Sequence, residues 1–283
     1  MRASESQIKY GVIGGGALSK SLIGKLPRKA RQIGPVVSVS YRNASRITNV
    51  MRAGHPALVE ELDGIPIILL HAQADQMRAI AVLLEDAKIR WKGKCLIFCD
   101  CDAPVAIVHS FRALGASTAV ARQFGIAGKI MLEGQPAALA CAHRLAAELR
   151  LRPIEIAMGA GYLFAAVQTL STAVTTPLVD RAADMLRAAG LGDKDAVKTA
   201  TAMFEQSIQE YSHSGKQSWA WYKGEPDVDG IEAEIGTVAE DFRDLFRELI
   251  LSSFDHFDKH PEIALKLKAT RLSALAAAGT GRP

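Results

Sequence analysis

The sequence predicts an α/β protein, in which an N-terminal doubly wound sheet is followed by an all-α C-terminal domain. Over the first half of the 283-residue chain, short apolar runs alternate with stretches of helical periodicity. The run at residues 65–70 is apolar throughout, which is typical of a parallel strand covered on both faces. From Gly161 onwards, nearly every segment has its apolar residues at helical spacing.

The elements of the predicted sheet follow one another in βαβ order. The first strand includes Tyr10, Val12 and Ile13, and a run with helical spacing follows it until Pro27, which cannot continue a helix. Further strands are predicted at residues 36–41, 54–59, 65–70, 94–98, 117–121, 129–132 and 152–156, the last at an edge of the sheet. Helices are predicted between them at residues 75–87, 104–114 and 136–149.

The second half of the chain predicts long helices at residues 162–189, 194–214 and 232–257. Pro177 lies inside the first of these and lacks a backbone N–H, so we expect a kink or a split near Thr175 and Thr176. The predicted domains are a sheet domain at residues 1–156 and a helical domain at 157–268. A flexible tail is expected at 269–283, where the residues are small and polar.

Composition and charge exclude several classes of partner. The 34 basic and 30 acidic residues are spread along the chain and give a net charge of +4, which indicates no nucleic acid. The first residues lack the apolar stretch of a secretory signal, and the aliphatic runs are short for a membrane span. We therefore expect a cytoplasmic protein without membrane contact. The four cysteines form no paired CxxC units, which favours reduced thiols over a metal site.

A glycine turn directly after the first strand predicts a Rossmann-type dinucleotide site. Gly14 permits the dihedrals of the turn, and Gly16 lets the backbone approach the phosphates, which rest on the N-terminus of the next helix. The residues that enter this helix are Ala17, Leu18 and the small Ser19. A glycine triplet also occurs in loops that bind no nucleotide, but the order of strand, turn and helix favours the nucleotide here.

The end of the second strand predicts NADP rather than NAD. Enzymes that select NAD place an acidic residue there, and residues 38–43 contain no carboxylate. Arg42 offers a planar fork of donors to a 2′-phosphate, and Ser40, Asn43 and Arg46 lie close to it in sequence. The alternative is that Arg42 and Arg46 are solvated residues at the start of the next helix.

Polar side chains at the ends of later strands are further candidates. His71 and Gln73 follow the run at residues 65–70, at the carboxyl edge where this architecture binds ligands, and are expected to line the cofactor cleft. Alternatively, a backbone group satisfies His71. Arg122 and Gln123 follow another strand, where they either grip a substrate carboxylate or cap the sheet.

Together with the helical second half, these motifs resemble the pyrroline-5-carboxylate reductase-like superfamily. Within it, the chain is similar to Rossmann-like NADP oxidoreductases whose C-terminal helical domain has no assigned function. Further residues that carry the resemblance are Leu70-His71-Ala72-Gln73-Ala74-Asp75, Gly159-Ala160-Gly161-Tyr162 and Ala188-Ala189-Gly190-Leu191. The resemblance implies a homodimer through the long helices, with each active site between the sheet domain and the helical domain. The catalytic lysine of relatives that reduce hydroxy acids is absent between Gly159 and Gly192.

These observations predict an NADPH-dependent oxidoreductase that transfers a hydride to a small imine or carbonyl compound. An iminium arrives already protonated and needs no proton donor, so the missing lysine favours imine-like acceptors. Tyr162 and Asp180 are the candidate catalytic residues, the first facing the substrate and the second holding a cationic nitrogen. The alternatives are a packing role for Tyr162 and an ion pair of Asp180 with Arg181 or Arg187.

Two other functions stay open at this point. A chain that has lost its proton donor and kept its nucleotide site is a non-catalytic NADP-binding sensor or scaffold. A basic group over the nicotinamide would instead favour the oxidation of an alcohol.

Overall fold

The computed structural model describes residues 10–15, 21–26, 32–101, 104–221 and 226–279. The chain forms two compact units, residues 1–168 and 169–283. The division lies later than the expected boundary after residue 156. The first turns of the long helix group with the sheet, and the rest of that helix groups with the helical unit.

The described part of the first unit is built on one eight-stranded sheet in the order β3-β2-β1-β4-β5-β6-β7-β8. The strands are β1 (Tyr10–Gly14), β2 (Ile33–Val37), β3 (His55–Pro56), β4 (Ile67–His71), β5 (Cys95–Cys99), β6 (Ser117–Arg122), β7 (Lys129–Gly134) and β8 (Arg152–Glu155). All neighbours pair in parallel except β6 and β7, which are antiparallel. Strand order reverses between β1 and β4, which makes their carboxyl ends the switch point of a doubly wound sheet. The predicted α/β class is therefore confirmed.

Helices cover both faces of this sheet, and two separate cores result. The helices of this part are α1 (Tyr41–Met51), α2 (Ala74–Asp86), α3 (Val105–Ala113) and α4 (Pro136–Glu148). Successive strand residues point to opposite faces, so Leu69 joins the core under α4, whereas Leu70 joins the core under α2 and α3. Burial on both faces explains why the sequence of β4 is apolar at every position before His71.

Three predicted elements of the sheet unit have different bounds. The second strand ends at Val37 instead of residue 41. The Ser40 side chain accepts the N–H of Asn43 and so caps α1, which begins at Tyr41. The strand expected at 54–59 shrinks to two residues, since Pro56 has no N–H for a ladder. The described part of the helix expected after the glycine turn contains only a 3-10 turn, Ile23–Lys25, at a glycine with low helix propensity.

The described part of the second unit is entirely helical outside its connecting segments. A helix begins with α5 (Gly161–Thr169), continues through a π-helical turn (Leu170–Val174) and ends with α6 (Thr175–Ala188). The other helices are α7 (Asp193–Ser214), α8 (Val228–Thr237), α9 (Glu240–Phe257) and α10 (Pro261–Gly279). Trp219 and Trp221 pack on Phe254 with ring centroids 5.1 and 5.2 Å away. The aromatic cluster therefore belongs to the core of this unit.

One expectation for the second half needs correction. The helix expected at 232–257 is two helices, α8 and α9, because Gly236 and the β-branched Thr237 and Val238 are poor helix formers. Residues 269–279, at the start of the expected tail, belong to α10 in a stretch rich in alanine and leucine. Residues 280–283 lie outside the described residues.

The helix at residues 161–188 is the one described segment with the length and composition to cross a membrane. Its most apolar 18-residue window has a mean hydropathy of 1.2, and none of that window is buried. The exposed apolar side chains Leu163, Val167, Leu170 and Val174 recur every three or four residues along it. This stripe is therefore an apolar helix face that the described residues leave exposed.

Candidate functional site

The carboxyl ends of three central strands are tied together at the switch point. The N–H of Gly15 donates to the carbonyl of His71 at 2.9 Å, which joins the ends of β1 and β4. The buried Ser38 hydroxyl donates to the carbonyl of Gly14 at 2.7 Å, which joins β1 to the end of β2. Gly14 is thus the last residue of β1, directly before the predicted turn. Gly16, Ala17, Leu18 and Ser19, also predicted there, lie outside the described residues.

Gly15 lies directly against the first turn of α2. A Cβ at this position would overlap the side-chain oxygen of Gln76, so no other residue fits without displacement. This Gln76 Oε1 is buried and has no hydrogen-bond partner in the described parts of the chain. A buried polar atom left unpaired costs about 1–3 kcal/mol, and an amide that rotates presents N–H donors instead. A glycine turn at the switch point is the place where this architecture binds the phosphates of a dinucleotide, and the Gln76 amide would offer them donors only after rotating.

The predicted 2′-phosphate residues lie on the first two turns of α1, which begins just past the carboxyl end of β2. Arg42 and Arg46 are both exposed and lie four residues apart on the same side of this helix. Neither forms an ion pair with another described residue. Both arginines therefore lie at the start of the helix that follows β2, as in the alternative reading. This position is just beyond the carboxyl edge of the sheet, where a dinucleotide would bind.

His71 and Gln73 lie at the same edge, and each has a backbone role. The Nδ1 of His71 is 2.7 Å from the carbonyl of Cys99, and since a carbonyl only accepts, Nδ1 is the donor of this hydrogen bond. Gln73 is exposed at the N-cap of α2, where its carbonyl accepts the N–H groups of Gln76 and Met77. The alternative for His71, a histidine satisfied by backbone, is therefore what the structure shows.

Asp100, which sequence reasoning missed, connects three loops at the carboxyl edge. Its carboxylate accepts the N–H of Leu22 at 2.8 Å, the N–H of Gln123 at 2.7 Å and the side-chain amide of Gln123 at 2.6 Å. Asp100 has a φ of 48°, a left-handed conformation that aspartate tolerates. In the sequence, only its position directly after a buried strand indicates such a role for Asp100.

Gln123 was considered either as a cap of the sheet or as a ligand for a substrate carboxylate. Its backbone N–H and side-chain amide both donate to Asp100, which is the capping arrangement.

A cavity of about 520 Å³ lies beside α3, over one face of β6 and β7. Its floor includes alternate residues of β6, and its wall includes α3 and the first turn of α5. The polar and charged lining residues are His109, Arg112, Thr118, Arg122, Glu133 and Tyr162. The cavity brings together Tyr162 and Arg122, which the sequence proposed separately. Its volume is within the usual range for small-molecule sites.

Hydrogen bonds fix the charged groups of this cavity. Arg122 donates to the carbonyl of Cys101 at 3.1 Å, and the Nε of Arg112 donates to the Thr118 hydroxyl at 2.7 Å. Glu133 accepts the N–H of Gly159 at 2.6 Å, just before α5 begins. Tyr162 is 72% exposed, so its ring is not held by the core. Arg112 and Glu133 were missed, because only the observed pleat shows that they face Arg122.

Asp180 lies on α6 in the second unit, where it is exposed. The arginines once considered as its partners bind other carboxylates: Arg181 pairs with Asp241, and Arg187 pairs with Asp184 and Asp193. The two arginines proposed as alternative partners of Asp180 are therefore paired with other carboxylates.

All four cysteines are buried thiols that form no disulfide. Burial raises the pKa of Cys95 to about 12 and raises that of Cys99 well above its ordinary value. A thiol with a raised pKa is a poor nucleophile at neutral pH. Among the described residues, no cluster of three His, Cys, Asp or Glu side chains is arranged to hold a metal.

Comparison with known proteins defines the fold class. No protein-family model matches the sequence, and no curated protein sequence is significantly similar to it. Several solved structures are similar over nearly the whole chain. An imine reductase from Myxococcus stipitatus in complex with NADP+ has a TM-score of 0.56 at 13% identity, over 95% of this chain and 94% of that one.

Two further structures show the same likeness. An imine reductase from Aspergillus terreus has a TM-score of 0.60 at 12% identity and covers 98% of this chain and 96% of its own. A pyrroline-5-carboxylate reductase from Coxiella burnetii has a TM-score of 0.53 at 11% identity and covers 89% and 98%. The expected resemblance to pyrroline-5-carboxylate reductase-like proteins is thus confirmed at the level of the fold.

Proposed function

We propose that this chain is an NADPH-dependent oxidoreductase that transfers a hydride to a small imine, or less readily to a carbonyl compound. The observation that carries the proposal is the glycine turn at the switch point of the sheet. There, a Cβ at Gly15 would require the Gln76 side chain to move, and the Gln76 side-chain oxygen is buried without a hydrogen-bond partner in the described parts of the chain. Similar folds that bind NADP+ and reduce imines support the same conclusion.

This chain's own residues suit NADPH. The turn at Gly14 and Gly15 would hold the pyrophosphate, and Arg42 and Arg46, with Ser40 and Asn43 beside them, would hold the 2′-phosphate. His71 and Gln73 lie at the edge along which the rest of the cofactor would extend. The bound cofactor supplies the hydride. The protein's task is then to orient the acceptor and to exclude water.

The substrate is proposed to enter the cavity that Tyr162 and Arg122 line. The Tyr162 hydroxyl is the proton donor for a neutral acceptor, and a substrate that is already an iminium needs no donor. Asp180 is proposed to hold a cationic nitrogen. The absence of a lysine between Gly159 and Gly192 is the reason for preferring imines over carbonyl compounds.

Cofactor titration tests the first part of this proposal. Arg42→Asp should weaken NADPH binding at least tenfold, since it replaces a donor fork with a charge that repels phosphate, and should change NADH binding little. Arg78→Asp, at an exposed position on α2, is the matched control. Equal losses for both cofactors would refute the assignment of Arg42 to the 2′-phosphate.

Turnover tests the second part and separates the two candidate functions. Consumption of NADPH with cyclic imines, and a loss of rate in Tyr162→Phe that is confined to neutral acceptors, would support the reductase. Tight NADPH binding without turnover on imines, amines or 2-oxo acids would instead support the sensor, which the missing lysine favours.

We also propose that the chain forms a homodimer through the apolar stripe on the helix at residues 161–188. A stripe of exposed Leu and Val side chains is costly in water, and a second copy of the same helix would cover it. Oligomeric state in solution tests this assembly.

A further inference from the structure

The geometry points to a specific ligand class for the cavity beside α3: a molecule with a carboxylate at each end and a basic nitrogen between them. The inference rests on the proposed function, because it names the substrate or product of that reductase. Its support is a set of three charged side chains that line the cavity: Arg122 on β6, Glu133 on β7 and Arg112 on α3, which binds Thr118 of β6. Their signs alternate as positive, negative and positive.

The strand register sets the order of these charges. Thr118, Val120 and Arg122 are alternate residues of β6, so they lie on one face of the sheet. Arg112 binds Thr118 and therefore places its guanidinium at the amino end of this row. Arg122 itself forms the carboxyl end. At about 3.3 Å per residue, the ends of the row are about 13 Å apart.

Glu133 provides the negative charge between the two arginines. Its partner across the antiparallel ladder is Val120, the middle residue of the row. A Cβ at Gly161 would lie 2.5 Å from Glu133 Oε2, so the carboxylate is held close to the start of α5. Tyr162 follows directly and lines the same cavity. A carboxylate thus lies at the level where a central nitrogen would be, with the start of α5 beside it.

The chemistry of the ligand follows from this arrangement. A guanidinium binds a carboxylate with two parallel hydrogen bonds, so each end of the cavity suits one carboxylate. The apolar lining, which includes Phe98, Val108 and Met131, suits methylene groups between the charges. Glu133 favours a protonated amine or iminium at the centre and disfavours a purely hydrocarbon linker.

The reaction that produces such a molecule balances with the proposed cofactor. The hydride of NADPH passes to the carbon of the C=N bond, and one proton ends on the nitrogen. The imine dicarboxylate is reduced to a secondary amine dicarboxylate, and NADPH is oxidised to NADP+. A preceding step must therefore condense an amine with an oxo compound, each carrying a carboxylate.

Binding of matched ligand pairs, measured by calorimetry without cofactor, tests the inference. Pimelate and 3,3′-iminodipropionate have the same length and differ only in the central atom, as do glutarate and iminodiacetate. In at least one of the two pairs, we expect the amine (3,3′-iminodipropionate or iminodiacetate) to bind at least tenfold more tightly than the dicarboxylate of the same length without nitrogen. Equal binding of amine and hydrocarbon, or no binding of either, would overturn the inference.

Three variants locate the ligand. Arg112→Gln and Arg122→Gln should each weaken the amine dicarboxylate at least tenfold. Glu133→Gln should remove the preference for the amine and leave the hydrocarbon unaffected or tighter, because it deletes only the central charge. Arg78→Gln, on the exposed surface of α2, should change nothing. Circular dichroism of each variant shows whether it is folded.

The design separates two kinds of failure. If wild-type protein binds the amine dicarboxylate but gives no signal with NADPH, the proposed reductase fails and the ligand site stands. If NADPH binds and the Glu133→Gln variant keeps the full preference for the amine, the ligand class fails and the reductase stands.

Discussion

At the scale of single residues, close contacts restrict which side chains are tolerated at Gly15 and Lys94. Gly15 faces the side-chain oxygen of Gln76 with no space for a methyl group. Lys94 is buried, and its ammonium donates to the carbonyls of Leu62, Asp63 and Ile65. The first contact bears on the cofactor site, and the second holds a loop that leads into β4.

We predict that Gly15→Ala lowers both the thermal midpoint and the affinity for NADPH, the latter at least tenfold, because the new methyl group displaces Gln76. Shortening the opposing side chain in Gly15→Ala/Gln76→Ala should recover most of the thermal midpoint. Gly64→Ala is the control, since a Cβ there meets no atom within 4 Å. If both glycine variants behave alike, the close contact at Gly15 has no energetic weight.

We predict that Lys94→Met destabilises the protein by about 2–4 kcal/mol, since it leaves buried carbonyl oxygens unpaired. Burial lowers the pKa of Lys94 from its ordinary value of 10.5. The unfolded chain therefore binds more protons than the folded one between the two pKa values. Stability from this residue must rise with pH in that window and is smaller below it.

Urea denaturation of wild type and Lys94→Met at a series of pH values up to 10.5 measures this effect. The difference in the free energy of unfolding should grow as the pH rises. A difference that shrinks over the same range would mean that Lys94 gains a charged partner on folding.

At the scale of elements, the apolar patterns predicted most strands and helices, and local chemistry set the ends that were missed. The central strand β4 was predictable because both of its faces are buried. The end of β2 was not, because a capping hydroxyl at Ser40 outweighs the β-branched pattern around it. In the candidate site, the glycine turn and Arg122 were predictable from position. Arg112, Glu133 and Asp100 required the register of strands distant in sequence.

We predict that Pro177→Ala raises the thermal midpoint. Pro177 cannot donate to the carbonyl of Ala173, and the π-helical turn at Leu170–Val174 lies where this regular hydrogen bond is missing. An alanine there restores the donor and favours a regular helix, with a gain below about 3 kcal/mol. Amide hydrogen exchange at residues 170–174 should slow. Thr176→Ala, next to it, should show neither change.

At the scale of the whole molecule, the exposed apolar stripe on the helix at residues 161–188 is a surface that a second copy could cover. We predict that Leu163→Glu combined with Leu170→Glu converts a dimer to a monomer in light scattering, because it places charges where two copies would meet. Met203→Glu, at an exposed position on α7, is the control. Wild-type protein that is monomeric at high concentration, or that floats with lipid vesicles, would argue against the dimer.

The antiparallel strand β7 decides where the last helix of the sheet unit points. Since β8 runs parallel to β7, the polypeptide leaves the sheet on the side opposite to the glycine turn and must travel back across it. The ring of Phe164 in α5 is 4.8 Å from the ring of Phe124, which lies beyond the carboxyl end of β6. The helix α5 therefore runs back towards that edge of the sheet. One reversed strand thereby makes α5 run from the opposite edge of the sheet towards the carboxyl end of β6.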